Sequence, residues 1–181
     1  MFRLFIVCIW QKRRHGRESV FATTIYHTRA WPNDLDFNGH VNNGRINTLA
    51  DLGRMHYFVR TGILSHALSM GARPMVGDIT AKYRKEIKAF DYLEIHTKLL
   101  GWEGKWGFIE HRILRDGQII GNVLMRGVFR ARTGSVDPEA FLTALEVEQP
   151  QETPKLPEWA LEWHRSMEGM SVQLRSEEKP R

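Results

Sequence analysis

The spacing of apolar residues changes period along the chain, and this change separates a helix from the strands around it. Residues 20–30 are rich in β-branched and aromatic side chains, which predicts a strand, and residues 31–34 follow with turn chemistry. Apolar and small residues then recur at helical spacing, which predicts a helix capped by Asn42 or Asn43: Ile46, Leu49, Ala50, Gly53 and Tyr57.

The second half of the chain has the two-residue alternation of half-buried strands. It predicts strands at residues 79–84, 93–99, 105–115 and 118–132. Asp116-Gly117 is a strong hairpin signal between the last two. Asp137 and Pro138 are suited to open a short helix that ends near residue 145.

The element order predicts an α+β domain, in which one apolar helix is buried against a curved antiparallel sheet. We expect three segments: an apolar and basic N-terminal segment (1–18), the domain (19–146), and a Pro-containing linker with a C-terminal helix and tail (147–181). The C-terminal helix carries an apolar stripe that we interpret as a docking face: Leu156, Trp159, Trp163, Met167 and Met170.

Composition excludes several classes of protein. With 181 residues, 42% of them hydrophobic and 26% charged, the chain is expected to be globular. The net charge of +5 is compatible with an anionic partner, but no nucleic-acid recognition motif accompanies it, so we expect no nucleic-acid partner. Cys8 is the only cysteine, which rules out an intramolecular disulfide and a Cys-rich zinc site.

Residues 2–10 are apolar and residues 12–14 are basic. The run is far shorter than the roughly 20 residues that span a bilayer, and its charges follow the apolar part, unlike those of a signal peptide. Two interpretations stay open. The segment packs on the domain or a partner subunit, or it rests on a membrane surface. We therefore expect a cytoplasmic protein with possible membrane association.

The loop at residues 34–43 carries the candidate chemistry. Two carboxylates, an amide and an imidazole fall within seven residues at the start of the predicted helix: Asp34, Asp36, Asn38 and His40. A helix N-terminus favours a developing negative charge, and a carboxylate or imidazole can activate water. The first six residues also copy a calcium loop, but Arg45 stands where a bidentate Glu is required, so we expect no metal.

The run Asp-Leu-Asp-Phe-Asn-Gly-His-Val-Asn-Asn at residues 34–43 resembles the signature of hotdog-fold thioesterases related to 4-hydroxybenzoyl-CoA thioesterase. It is also similar to a motif of plant acyl-carrier-protein thioesterases. The resemblance extends further, over most of residues 1–145, to thioesterase superfamily member 6-like proteins, through residues 73–78, 99–102 and 108–110. Ile46 is a departure, because the family normally has an aromatic residue there.

The resemblance implies a hotdog fold and an acyl-CoA thioesterase that needs no cofactor beyond the coenzyme A of its substrate. By position, Asp36 matches the catalytic general base or nucleophile, while Asn38 and His40 match residues that hold water or thioester. Backbone amides near His40, Val41 and Asn42 match the oxyanion hole. From the residues alone, Asp34, Asn42 and Asn43 are better explained as turn and cap residues. Val41, Asn42 and Asn43 also belong to the predicted substrate-binding set.

The resemblance also implies a homodimer or higher homo-oligomer, with an acyl pocket at the interface. Phe58, Met75, Trp102 and Trp106 are candidates to line it, although ordinary core packing is the better explanation for each. Arg84 and Lys85 are candidates for binding the phosphates of coenzyme A, although a solvated basic strand edge is an equally good explanation. The partner is an acyl-CoA or an acyl-carrier-protein thioester. A hotdog module that binds acyl groups without turnover is the alternative function, and a hydratase ranks below it.

Overall fold

The computed structural model describes residues 17–145 and 154–178. The predictions for residues 1–16 and for most of the linker lie outside this part of the chain. The elements follow in chain order: β1 (Thr24–Arg29), a 3-10 turn (Pro32–Asp34), α1 (Asn43–Arg60), α2 (Ile63–Ser69), β2 (Arg73–Tyr83), β3 (Tyr92–Glu103), β4 (Trp106–Arg115), β5 (Gln118–Ala131), β6 (Gly134–Ser135), α3 (Pro138–Thr143) and α4 (Glu158–Glu177).

All strand pairs are antiparallel, and the sheet order is β1-β3-β4-β5-β2, with the short β6 beside β5. The strands β1 and β2 are therefore the two edges. α1 packs against β1, β3 and β4 on the inner face of the curled sheet. The predicted arrangement of one long helix against a curved antiparallel sheet is confirmed.

Particular residues determine where α1 begins and how closely it packs against β3. Oδ1 of Asn42 accepts a hydrogen bond from the amide of Gly44 at 2.8 Å, which confirms Asn42 as the N-cap. Further along, a Cβ atom on Gly53 would lie 2.6 Å from Cγ2 of Ile95 and 2.8 Å from Oγ1 of Thr97. The missing side chain of Gly53 thus allows the helix to approach β3 closely.

The structure corrects several predicted boundaries. β1 starts at Thr24 and not at residue 20, because residues 19–22 form a turn in which Ala22 donates to the carbonyl of Ser19. β2 starts at Arg73, six residues before the predicted start. The alternation of apolar and polar residues is not visible there, because a bulge between Val76 and Asp78 interrupts it. Pro74 is tolerated because β2 is an edge strand. The short helix α2 was not predicted.

The hairpin and the cap of the short helix are confirmed. Asp116 and Gly117 both have positive φ, 51° and 71°, and connect β4 to β5. Asp137 caps α3, since its Oδ2 accepts from the amide of Ala140 at 2.9 Å.

α4 lies on the outer face of the sheet. Leu156, Ala160 and Trp163 pack there against an apolar cluster that includes Phe108 and Leu124. Trp159 and Met170 are exposed, so the predicted docking stripe is only partly right.

A buried cation fixes α4 in place. Arg126 on β5 is 1% exposed, and its guanidinium lies over the ring of Trp106. It forms ion pairs with Asp78 of β2 at 2.6 Å and with Glu168 of α4 at 2.7 Å, and it lies 2.7 Å from Nδ1 of His164. These contacts tie β2, β4, β5 and α4 together.

Two histidines, His56 and His111, are buried in the core, where burial disfavours a protonated ring. Nδ1 of His111 lies 2.9 Å from Oγ1 of Thr97, whereas its Nε2 has no hydrogen-bond partner among the described residues. Burial, with a smaller contribution from the charge of Arg54, lowers the pKa of His111 to about 3. Burial likewise lowers the pKa of His56 to about 4.

A search of the helices within residues 17–145 and 154–178 finds none with the length and hydrophobicity of a membrane span.

Gly53→Ala is expected to destabilise the fold by about 1–3 kcal/mol, because the added methyl group overpacks the contact of α1 with β3. Gly169→Ala is the matched control. That glycine also lies in a helix, α4, but a Cβ atom added there would have nothing within 4 Å, so alanine should add about 0.5–1 kcal/mol of stability. Urea unfolding at pH 7 measures both; equal effects would contradict the close approach at Gly53.

The buried histidines should make the fold acid-sensitive. Because both pKa values are lowered, the unfolded chain binds protons first as the pH falls below about 6.5. Stability is lost from there down to about pH 4 for His56 and about pH 3 for His111. The loss should reach about 2 kcal/mol per histidine by pH 5. Urea unfolding between pH 5 and 7 tests this: His111→Asn, which cannot titrate, should lose less stability than the wild type.

Candidate active site

The loop between β1 and α1 is held in one conformation by its own backbone. The amide of Asp36 donates to the carbonyl of His40 at 2.8 Å, and the amide of Gly39 donates back to the carbonyl of Asp36 at 3.0 Å. A bridge between Leu35 and Val41 closes the turn. Gly39 has φ of +75°, which a side chain would disfavour. The tip of the loop projects Phe37 into solvent, 96% exposed.

Asp34 anchors the loop to α1. Its carboxylate is 1% exposed, accepts from the backbone amide of Trp31 at 2.9 Å, and is paired with Nη2 of Arg45 at 2.6 Å. This geometry agrees with the interpretation of Asp34 as a turn residue. It also gives Arg45 a structural partner.

Asp36 lies partly exposed on the same turn. Its Oδ1 accepts from the amide of Asn38 at 2.9 Å. In the part of the chain that the structure describes, Oδ2 has no hydrogen-bond partner. The carboxylate is thus fixed in direction by one oxygen while the other remains available to a water molecule or a carbonyl carbon.

His40 is held by a residue that the sequence did not indicate. Its Nε2 lies 2.6 Å from Oε2 of Glu86, in the segment after β2. A hydrogen bond from Lys88 lowers the pKa of Glu86, with smaller contributions from the charges of Lys88, His40 and Arg115. Glu86 follows a strand as one of several charged residues, and no spacing marks it, so only the fold reveals this contact.

The backbone amides predicted to form an oxyanion hole are only partly available. The amide of Val41 donates to the carbonyl of Ile87 at 2.8 Å, and that of Asn42 donates to the carbonyl of Asp34 at 2.9 Å. The side chain of Asn42 also accepts from the amide of Gly44 as the N-cap of α1. Among the described residues, the amides of His40 and Asn43 have no acceptor, and Asn43 is the first residue of α1. The available donors are therefore these two.

Arg84 and Lys85 directly precede the segment that contacts this loop. Both follow β2 directly, and Ile87 and Glu86 beside them contact Val41 and His40. Lys85 donates to Oε1 of Gln118, whereas Arg84 is exposed and has no side-chain partner among the described residues.

A mainly apolar cavity of about 120 Å³ lies between the C-terminal half of α1 and the strands β2, β4 and β5. Of the four side chains expected to line an acyl pocket, Phe58, Met75 and Trp102 line this cavity. Trp106 does not, because it stacks with Arg126 on the outer face. The sequence did not indicate Arg54, which lines the cavity and pairs with Asp51 at 2.7 Å.

The loop and the cavity lie at opposite ends of α1. The loop ends at Asn43, and the cavity begins at Arg54, which is about 16 Å further along a helix axis. Asp36 therefore does not line the cavity of its own chain. Ile46, the departure from the family pattern, is buried in the core between the two.

Comparison with solved structures shows the fold of the chain. The YbaW probable thioesterase from Escherichia coli matches with a TM-score of 0.63 at 22% identity, over 67% of this chain and 94% of the other. 4-Hydroxybenzoyl-CoA thioesterase from Pseudomonas sp. strain CBS-3 matches with a TM-score of 0.61 at 18% identity, over 68% and 99% of the two chains. The chain thus has a hotdog fold, as the sequence predicted.

Sequence comparison then identifies the family. The profile of the thioesterase-like superfamily matches residues 30–164. Protein THEM6 from Xenopus laevis is 31% identical over 148 residues, which cover 81% of this chain and 69% of the relative. The chain belongs to the thioesterase-like superfamily, and the predicted resemblance is confirmed.

Proposed function

We propose that this chain is an acyl-CoA thioesterase in which Asp36 acts on the thioester. The observation that carries the proposal is the geometry of the loop, where a partly exposed carboxylate with one free oxygen is fixed beside a helix N-terminus. Membership of the thioesterase-like superfamily supports the reaction class. The name of the Pseudomonas relative, 4-hydroxybenzoyl-CoA thioesterase, supports a coenzyme A thioester as substrate.

In this reaction Asp36 either takes a proton from a water molecule that attacks the thioester carbonyl, or attacks the carbonyl itself. The carbonyl oxygen becomes an oxyanion, which the amides of His40 and Asn43 and the dipole of α1 stabilise. The C–S bond then breaks, and the departing thiolate takes up a proton. In the first route the attacking water supplies the new C–O bond and the carboxylic acid is released directly. In the second route a water molecule hydrolyses the mixed anhydride formed on Asp36, which releases the carboxylic acid and restores the Asp36 carboxylate. Glu86 orients the ring of His40 toward the reacting group, and Asn38 fixes Asp36. Water is the second substrate and no atom changes oxidation state, so the reaction needs no redox cofactor.

The substrate would lie between two copies of the chain. β2 is an edge strand of eleven residues, and it exposes a row of apolar side chains to solvent: Met75, Val76, Ile79 and Tyr83. A long apolar edge with unpaired backbone groups favours pairing with another strand. A two-fold dimer pairs a strand with its own copy, and the two copies of β2 then run antiparallel.

This pairing would complete the site. The cavity adjoins the N-terminal half of β2 through Pro74, Met75 and Val76. The loop lies beyond the C-terminal end of β2, through the hydrogen bond of Val41 to Ile87. Antiparallel pairing brings the loop of one copy beside the cavity of its partner, and so joins the two parts that one chain holds apart. Arg84, with no side-chain partner among the described residues, is our candidate for the phosphates of coenzyme A.

A second candidate function is acyl-CoA binding without turnover. It is favoured by one observation: the amides of Val41 and Asn42 are already engaged, which leaves fewer donors for an oxyanion. Binding of an acyl-CoA by a correctly folded dimer with no thiol released would support it.

Asp36→Asn is expected to reduce thiol release from acyl-CoA substrates by at least about a hundredfold, because the amide can neither take a proton nor attack the carbonyl. The assay is thiol release from a panel of short, long and aromatic acyl-CoAs. Asn33→Asp is the control, since it alters an exposed amide in the adjoining turn. Full activity of Asp36→Asn would exclude this role for Asp36.

Ile79→Lys is expected to give a monomer with little thioesterase activity, because it places two like charges close to the axis of the proposed dimer. Ile25→Lys on the other edge strand, β1, is the matched control: Ile25 is 42% exposed and Ile79 is 41% exposed. Sedimentation velocity and the thiol assay measure both variants. The proposed dimer is wrong if Ile79→Lys stays dimeric and active, or if Ile25→Lys is the variant that dissociates.

A further inference from the structure

A partly buried cation lies in the wall of the apolar cavity. Arg54 lies on α1 and its side chain is only 13% exposed. The rest of the wall is mainly aliphatic and aromatic, and includes Phe58, Ile109 and Phe129. Of the described residues that line the cavity, the charged ones are Arg54 and Lys105, and none is acidic. The electrostatic potential inside the cavity is therefore expected to be positive.

The hydrogen-bonding capacity of Arg54 is incompletely used. Nη2 is paired with Oδ1 of Asp51 at 2.7 Å, and Nη1 lies 2.7 Å from Sδ of Met125. A thioether sulfur is a weak acceptor, whereas a guanidinium has five N–H donors. Met125 lines the cavity as well, so the weakly paired nitrogen is at the cavity wall. Burial lowers the pKa of Arg54, and the charge of Asp51 offsets this only in part.

We propose that Arg54 determines the acyl specificity of this protein, and that the cavity takes a short acyl group whose far end carries a carboxylate. This inference rests on the proposed thioesterase function. A carboxylate can accept two N–H groups of a guanidinium in the bidentate geometry and replace the thioether contact. A hydrocarbon end would leave Nη1 of Arg54 with only the weak thioether acceptor of Met125.

The size of the cavity favours a short acyl group. Its 120 Å³ are less than the roughly 150 Å³ of a protein cavity that holds one benzene molecule. An acyl group of about five carbons matches this volume, whereas a long fatty-acyl chain would extend beyond it. Lys105, which is exposed at the cavity, adds to the attraction for an anionic group.

The test compares glutaryl-CoA with valeryl-CoA, two five-carbon substrates that differ in a terminal carboxylate. The wild-type full-length chain should have a kcat/KM at least about tenfold higher for glutaryl-CoA, and Arg54→Met should remove this preference. Arg54→Lys keeps the positive charge but not the bidentate geometry of the guanidinium, and it should retain part of the preference for glutaryl-CoA. Asp51→Asn should increase the preference, because it removes the anion that competes for Arg54; an Arg54–Asp51 pair with a purely structural role would give no increase.

Binding of non-hydrolysable thioether analogues of the two substrates, measured by calorimetry, separates this inference from the proposed function. A wild-type preference for the glutaryl analogue that Arg54→Met abolishes would support the inference even if neither thioester is hydrolysed, in which case the proposed function fails alone. An equal or stronger affinity for the valeryl analogue, or a preference that Arg54→Met leaves unchanged in a folded protein, would overturn the inference.

Discussion

The seating of α1 against β3 is the contact on which the rest of the structure depends. Gly53 brings the helix backbone to the side chains of Ile95 and Thr97, and no other residue type leaves that space. This contact sets the height of α1 above the sheet. It therefore determines where the N-terminal loop emerges at one end of the helix and how much space remains beneath its other end.

The candidate site has two halves that the fold positions independently. The loop half is rigid for two reasons. Asp34 is buried and paired with Arg45, and the turn from Asp36 to His40 is closed by hydrogen bonds between its own backbone groups. A site built in this way loses little conformational entropy when a substrate binds. The cavity half depends on α1, β2 and β5. The loop half has the carboxylate and the cavity half has the pocket, and the two are far apart within one chain. The proposed role of the edge strand β2 is to bring the loop of one copy to the cavity of another.

The sequence predicted the parts of the structure that depend on local pattern. The alternation of β3 to β5, the Asp116-Gly117 turn and the cap at Asn42 are each determined by neighbouring residues, and all agree with the structure. The motif at residues 34–43 also identified the family. Contacts between distant residues could not be predicted in this way: Glu86 meets His40 across 46 positions, and Arg126 meets Glu168 across 42.

The same limit explains the errors within the site. The amides of Val41 and Asn42 looked available because their acceptors, Ile87 and Asp34, are brought to them only by the fold. Trp106 was a candidate for the pocket because a strand residue can point to either face of the sheet. Its stacking with Arg126 shows that it points to the outer face. Arg54 was not indicated by the sequence, because only the packing of α1 against the sheet brings its side chain to the cavity.

The anchoring of α4 by Arg126 also has a consequence for how large an assembly can grow. Two sheets stack face to face at a spacing of about 10 Å, and a helix with its side chains is itself about 10 Å across. With α4 held on the outer face by a buried ion-pair network, the sheets of two molecules cannot approach back to back over that region. Growth beyond a pair of chains would have to proceed through other surfaces, and α4 acts as a spacer that keeps the outer faces of the sheets apart.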